Sequence, residues 1–526
     1  MQVASTRSAV VVGVTAHLIE AQAQVANGLP RWTIVGLPDT SVTESRERVR
    51  AATLSSGLRW PDSRITVALS PASLPKRGSG LDLAIALAVQ CAAGAVPMES
   101  VARVARWVLV GELALDGQVR PVGSVLAAAV AARRAGVECL VVPEANLQEA
   151  ALVPDLEVVA VSNLGQLLSV VRGDHLDPAS GPASGDFEPC IGDASPTDGR
   201  AVGGSAPDLA DVRGQAHARR ALTVAASGGH HLSMTGAPGV GKTLLASCLP
   251  GLLPDLDDEC ALETTAIRSL MNPGSPAGLV RRPPVQAPHH TTTAIALIGG
   301  GAADRPTIGL VTAAHNGVLL LDEAAEFPNW VLESLRQAVE SGVVSIARGG
   351  FQVTLPARCQ LVLTSNPCPC GRALDVVGAP CRCSSIQRRR YRSKLSGPLF
   401  DRIDLRLGLT RPTPSELEGG WASGTPSSVI VEQVQESRER AARRLRGTPW
   451  HVNAAVPGHV VRSEWPISAA LQRALDRLTV GAQSVRGLDV ALRVAWTLAD
   501  LNGSDQPGAA ELREAMELRG VDAWAA

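Results

Sequence analysis

Between an apolar run, His231 to Thr235, and the helix-forming Leu244 to Leu249 lies the octapeptide Gly236-Ala237-Pro238-Gly239-Val240-Gly241-Lys242-Thr243. That strand, loop and helix order is what a phosphate-binding loop requires. Its glycines let backbone N–H groups close around the β- and γ-phosphates. Lys242 neutralises their charge, and the Thr243 hydroxyl at the helix N-terminus can ligate Mg²⁺. Two more buried-strand patterns end in polar side chains: Val318 to Leu321 runs into Asp322-Glu323, and Leu361 to Thr364 leads to Asn366. A parallel sheet gathers such strand ends along its carboxyl edge. There Asp322 is placed to hold Mg²⁺, Glu323 to polarise an attacking water, and Asn366 to sense the γ-phosphate and orient that water. The chemistry these residues predict is hydrolysis of ATP, with Mg²⁺ as the metal.

Other residues with chemical potential lie further along. Cys368, Cys370, Cys381 and Cys383 form two C-x-C pairs in a chain of ten cysteines. Four thiolates from one loop can fill a tetrahedral Zn²⁺ shell, although this spacing is tighter than the usual two to four residues; reduced thiols in a tight loop are the alternative. Next comes the densest positive run of the chain, Arg388-Arg-Arg-Tyr-Arg392-Ser-Lys394. It suits contact with DNA phosphates, and equally a solvated helix face leading to Arg402. The stretch Glu436 to Arg446 alternates in sign, as an exposed helix does. His289-His290 lacks a third ligand at any motif spacing and reads as part of an insertion loop facing a substrate.

These residues need elements to position them, and 526 residues suffice for two to four domains. From 1 to 173 short β-rich runs alternate with helical ones, an α/β pattern, with a hairpin expected at Asp116-Gly117. Residues 174–207 turn to Pro, Gly, Ser, Ala and Asp, a composition expected of a flexible linker. A second α/β block spans 208–409, and a mostly helical one 427–526. With 49 Lys and Arg against 50 Asp and Glu, no global field selects a polyanionic partner, so any nucleic-acid surface is local. Aromatic residues are 3% of the chain, which argues against base-stacking platforms. No secretory signal is visible, so a cytoplasmic location is expected. The apolar stretch from Leu81 to Val96 is too short for a membrane span and carries Asp82 and Gln90, and it reads as a buried helix.

Taken together, VRGQAHARRAL, GAPGVGKT, APHHTTT, AHNGVLLLDE, SNPCPCG, SGPLFDRIDL and LRVAWTLADL resemble the magnesium-chelatase-like AAA+ ATPases of the ComM/YifB type. The resemblance spans nearly the whole chain, since VLVGELALDGQVRP and VPEANLQEAALV look like that family's N-terminal domain, similar in fold to the Lon protease domain. It implies a Lon-protease-like α/β domain, a three-layer α/β P-loop core with insertions, and a C-terminal helical lid. It also implies a homo-oligomeric ring, a hexamer, with ATP sites between subunits and DNA as partner, acting in branch migration. A protein-remodelling motor like the chelatase subunit is the alternative, and a slow nucleotide-gated scaffold a third reading. By the same resemblance Arg402 is the arginine finger for a neighbour's site, and Arg486 the second sensor on the lid, with Arg493 as runner-up.

Departures from the family pattern are visible. Ile308-Gly-Leu310 stands where the family has Pro-Gly-Glu-Ile-Ser, Thr364-Ser365 where Ala-Met is usual, and Ala338 in place of a proline. Lon's serine nucleophile aligns with Gly80, one past Ser79, and its lysine base with Leu126, while Lys76 lies on a different turn. A serine without an amine to take its proton is a poor nucleophile, so peptidase activity is not expected and a docking or assembly role is.

Overall fold

The structure is a computed structural model that describes residues 2–76, 78–173, 206–271, 278–302, 305–348, 351–373, 380–395, 397, 399–413, 425–480 and 485–520. Of the expected linker, residues 174–205 lie outside the described residues. The chain divides into two compact units, Met1–Ala194 with Asp258–Val280, and Ser195–Asp257 with Arg281–Ala526.

The first unit is built on a seven-stranded mixed sheet. Its strands are β1 (Gln2–Val12), β2 (Thr15–Ala26), β3 (Arg31–Val35), β4 (Arg64–Ser70), β5 (Trp107–Leu109), β6 (Cys139–Pro143) and β7 (Glu157–Val161), in the order β3-β4-β2-β1-β5-β6-β7. β1 and β2 pair antiparallel through a tight turn, whereas β1, β5, β6 and β7 run parallel. Helix α1 (Thr40–Ser55) starts where the Asp39 carboxylate accepts from the Val42 N–H at 2.8 Å. Every residue of α2 (Asp82–Ala92) is buried, as expected for this stretch, and its Leu83, Ile85 and Val89 share a core with Ile19, Val67 and Leu69 of the sheet. Asp82, which opens α2, is clasped by Arg48 at 2.6 and 3.0 Å. Burial nevertheless lifts its carboxyl to about 6. The expected hairpin forms as Glu112–Leu113 paired with Val119–Arg120, with Gly117 in the left-handed region at φ +89°.

One element of this unit comes from far along the chain. The helix Asp258–Met271 places Leu262 and Ala266 in the core beneath α3 (Val125–Arg134), against Val125, Leu126, Ala129 and Ala132. Ser269 donates to Glu149 at 2.7 Å, and Arg134 pairs with Glu263 at 3.3 Å. Helix α4 (Leu164–Arg172) adds Leu167, Leu168 and Val171 to the core that holds α2.

In the second unit, α5 (Ala216–Gly228) leads into a five-stranded parallel sheet. Its strands are β8 (Leu232–Gly236), β9 (Val285–Gln286), β10 (Val318–Leu321), β11 (Gln360–Ser365) and β12 (Leu405–Leu409), ordered β9-β10-β11-β8-β12. β10 and β11 are buried along their whole length, which explains their unbroken apolar runs. Two β-hairpins, Gly299–Ala302 with Arg305–Ile308 and Val343–Arg348 with Phe351–Pro356, are inserted between these strands. Helices α6 (Lys242–Leu252), α7 (Asn329–Ser341) and α8 (Ser385–Leu395) follow β8, β10 and β11. Further on come α9 (Ser427–Leu445), α10 (Val485–Asn502) and α11 (Ala509–Leu518). Val434, Val490, Val494, Leu498 and Leu518 from these last three helices share one core with Leu232, Met234 and Leu407 of the sheet.

Polar side chains sew the same seam. Buried His230 reaches Asp404 at 3.1 Å through Nδ1 and Thr497 at 2.8 Å through Nε2. Burial alone would raise the Asp404 carboxyl, but the His230 hydrogen bond and the Arg493 charge outweigh it and hold it well below the usual carboxylate range. Among the described residues no helix is long and apolar enough to cross a membrane.

Candidate nucleotide site

The carboxyl edge of the parallel sheet carries the residues singled out by their spacing. β8 ends at Gly236, and the chain turns through Gly239 (φ +80°) and Gly241 (φ +92°) before α6 begins at Lys242. Space beside both α-carbons is open, so the left-handed backbone itself calls for glycine and leaves a cradle that side chains would fill. Gly236 is needed for a different reason, because a β-carbon there would stand 2.7 Å from the Leu409 carbonyl oxygen. The Lys242 ammonium donates to the Gly236 and Ala237 carbonyls at 2.8 and 2.9 Å and to Asn366 Oδ1 at 3.1 Å, which joins the ends of β8 and β11. Burial pushes its pKa below the ordinary value, opposed by the Asp322 and Glu323 carboxylates.

At the end of β10 the Asp322 carboxylate accepts from the Thr243 hydroxyl at 3.2 and 3.3 Å. Glu323 sits in the left-handed region at φ +52°, opening the turn Ala324–Glu326. A hydroxyl that spacing alone did not select holds this pair. Thr364 donates to Asp322 Oδ1 and accepts from the Glu323 N–H at 3.1 Å. Beside it, the hydroxyls of Thr235 and Ser365 bond to each other at 2.9 Å across β8 and β11. Thr364 lies two residues before Asn366, on the same strand face, and that parity was the available signal. Thr243 and Asp322 are hard oxygen ligands facing each other, beside a buried lysine and an open glycine backbone, and this donor set fits Mg²⁺ with a nucleotide triphosphate.

Arg402 engages Glu340, and Arg486 contributes charge to the same carboxylate. Arg402 Nη2 lies 2.6 Å from Glu340 at the end of α7. This hydrogen bond holds the Glu340 carboxyl below its usual range, and the charges of Arg486 and Arg336 add to the effect. Arg493 is engaged by Asp404 at 3.6 Å and the Val456 carbonyl at 3.1 Å, so it braces the seam between sheet and helices.

Comparison with known proteins matches three families in succession: subunit ChlI of Mg-chelatase over residues 21–146, magnesium chelatase subunit ChlI over 208–417, and the magnesium chelatase subunit ChlI C-terminal family over 424–519. An uncharacterized protein of Mycobacterium tuberculosis is 46% identical over 97% of each chain. Protein YifB of Escherichia coli is 36% identical, covering 99% of this chain and 97% of its own, and competence protein ComM of Haemophilus influenzae is 36% identical over 99% and 98%. The chain belongs to the ComM/YifB family of magnesium-chelatase-type proteins. Lon protease of Rhizobium meliloti is 29% identical over 32% of this chain and 22% of its own, a likeness at the N-terminus.

Against that family likeness, the N-terminal unit pairs Ser79 with Glu112, while Lys76, fully buried, donates to the Pro71 carbonyl. Gly80 and Leu126, the aligned positions, carry no nucleophile or amine. His289 and His290 pack ring to ring at 4.0 Å, and His289 bonds to Thr291 at 2.9 Å.

The cysteines converge. The four Sγ atoms of Cys368, Cys370, Cys381 and Cys383 lie within 4.8 Å of one another, the one such ligand cluster among the described residues. Cys368 stands 3.4 Å from Cys370 and 3.7 Å from Cys381, and Cys370 stands 3.6 Å from Cys381. A tetrahedron with Zn–S bonds of about 2.3 Å has edges of about 3.8 Å. The sulfur set therefore fits zinc and is too open for a disulfide.

Proposed function

We propose that this member of the ComM/YifB family is an AAA+ ATPase that couples ATP hydrolysis to translocation on, and remodelling of, DNA, including branch migration in recombination or DNA uptake. The observation that carries the ATPase reading is the convergence of Lys242, Thr243, Asp322, Glu323 and Asn366 on one sheet edge, tied by hydrogen bonds from Lys242 to Asn366 and from Thr243 to Asp322. Mg²⁺ held by Thr243 and Asp322 supplies charge neutralisation for the phosphates when bound. Lys242 and the glycine backbone seat the β- and γ-phosphates, Glu323 takes the proton from water, and Asn366 orients that water. Arg402 serves the site of the next subunit in a homo-oligomeric ring, a hexamer, Arg486 is the second sensor on the helical lid, and the four cysteines hold one structural Zn²⁺. The first unit is a docking or assembly module, and the protein works in the cytoplasm.

DNA as substrate is supported by the relative named as a competence protein and by α8. Arg389 and Arg390 are exposed on that helix and, among the described residues, make no ion pair. Fluorescence anisotropy of a labelled four-way junction, titrated at two salt concentrations, tests the reading. Affinity should fall steeply with salt, and Arg389→Glu with Arg390→Glu should weaken it about tenfold and flatten the salt slope. Tight binding that ignores both substitutions contradicts the α8 surface. No binding at any salt turns the reading to a protein substrate.

A further inference from the structure

The cysteine loop begins and ends on chemically active parts of the second unit. Its first pair starts two residues after Asn366, whose amide oxygen accepts from Lys242. Gly371, directly after Cys370, has φ +75°, and a β-carbon there would stand 2.6 Å from the ring of Pro238. The loop thus leans on the phosphate-binding octapeptide itself. Its second pair ends at Cys383, next to Ser384, which caps α8: Gln387 N–H donates to Ser384 Oγ at 3.2 Å and Ser384 N–H to Gln387 Oε1 at 2.9 Å. At the far end of α8, Lys394 donates to the Ala325 carbonyl at 2.9 Å, in the turn that follows Glu323. Tyr391 is buried, with Glu326 of the same turn close enough to help raise its pKa. The basic helix is therefore fastened at one end to the turn that follows Glu323 and at the other adjoins the sulfur cluster.

Resting on the zinc reading above, we propose that the metal centre is a rigid joint between the phosphate-binding loop and α8, through which a polyanion held by α8 changes nucleotide affinity and turnover. Zn²⁺ locks Cys368 and Cys370 to Cys381 and Cys383. The strand end carrying Asn366, the Gly371–Pro238 contact and the start of α8 then move as one body. Without the metal these three become independent, and a polyanion on α8 loses its path to the phosphates.

The test uses the full-length protein and three readouts: zinc per subunit by mass spectrometry, affinity for a fluorescent ATP analogue, and the change in that affinity on adding DNA. Wild type should carry about one zinc. Cys381→Ser with Cys383→Ser should lose it and bind the analogue about tenfold more weakly, with no response to DNA. Gly371→Ala separates joint from metal. It should keep its zinc and still bind the analogue about tenfold more weakly, because the added methyl displaces the loop from Pro238. Wild type without zinc overturns the metal centre. Zinc-loaded Gly371→Ala and the zinc-free cysteine variant both matching wild type in affinity overturns the joint while leaving the metal. Failure of the DNA reading has a separate signature: wild-type affinity indifferent to DNA, with the two variants still weakened.

Discussion

At the scale of single residues, the proposed hydrolysis is divided among side chains that hydrogen bonds tie together. Glu323→Gln should bind ATP as wild type does and lose turnover by about 10²–10⁴-fold, seen as retained analogue binding with no phosphate release. Normal turnover would remove Glu323 from its role. Thr364 positions both acidic residues through one hydroxyl, so Thr364→Val should lower kcat about tenfold at unchanged nucleotide affinity, and Thr364→Ser should restore it. An unaltered kcat in the valine variant would make that hydroxyl incidental. The convergence of Lys242, Asp322 and Asn366 was legible because each follows an apolar strand or opens a helix at one sheet edge. Thr364 stood out as a departure from the family and by its parity with Asn366, but its partners were not legible, since they follow a neighbouring strand and strand pairing is not written locally. Arg493 shows a related difficulty: its sequence motif does not reveal that it pairs with a buried Asp404.

At the scale of elements, the seam between the parallel sheet and the C-terminal helices depends on Asp404. Its folded pKa is depressed, so its contribution is complete above the unfolded carboxylate value of about 3.9 and is lost as pH falls through the lower folded value. Asp404→Asn should cost about 3–5 kcal/mol at pH 7, by leaving Arg493 and His230 without their anion. In urea titrations repeated toward pH 2, the variant should lose less further stability than wild type. Equal pH slopes would contradict the assignment. A second prediction at this scale concerns the helix Asp258–Met271. A fragment ending at residue 173 bares the apolar side of α3 that Leu262 and Ala266 cover, so it should aggregate, and co-expression with a 258–280 peptide should restore solubility. A soluble, fully folded fragment would show that this covering is dispensable. The alternation of strands and helices was readable in this unit because burial period tracks secondary structure. The helix from 258 was not assignable, because an amphipathic pattern says that a face is buried and not which partner buries it.

At the scale of the whole molecule, the proposed role of Arg402, which pairs with Glu340 within its own chain, is to serve a neighbouring subunit. Arg402→Ala should lower turnover by about 10³-fold with nucleotide binding kept. Mixing it with Glu323→Gln should recover activity, since hybrid sites then combine an intact Glu323 with an intact Arg402. A mixture as inactive as its parents would contradict sites shared between subunits. The central claim of the proposed function is the coupling between polyanion binding and ATP hydrolysis, and the most direct measurement is the ATPase rate with and without four-way DNA at low and moderate salt, with Lys242→Ala as the blank. The account predicts strong stimulation that fades as salt rises. Hydrolysis that is abolished by Lys242→Ala yet unchanged by DNA at every salt concentration would contradict it.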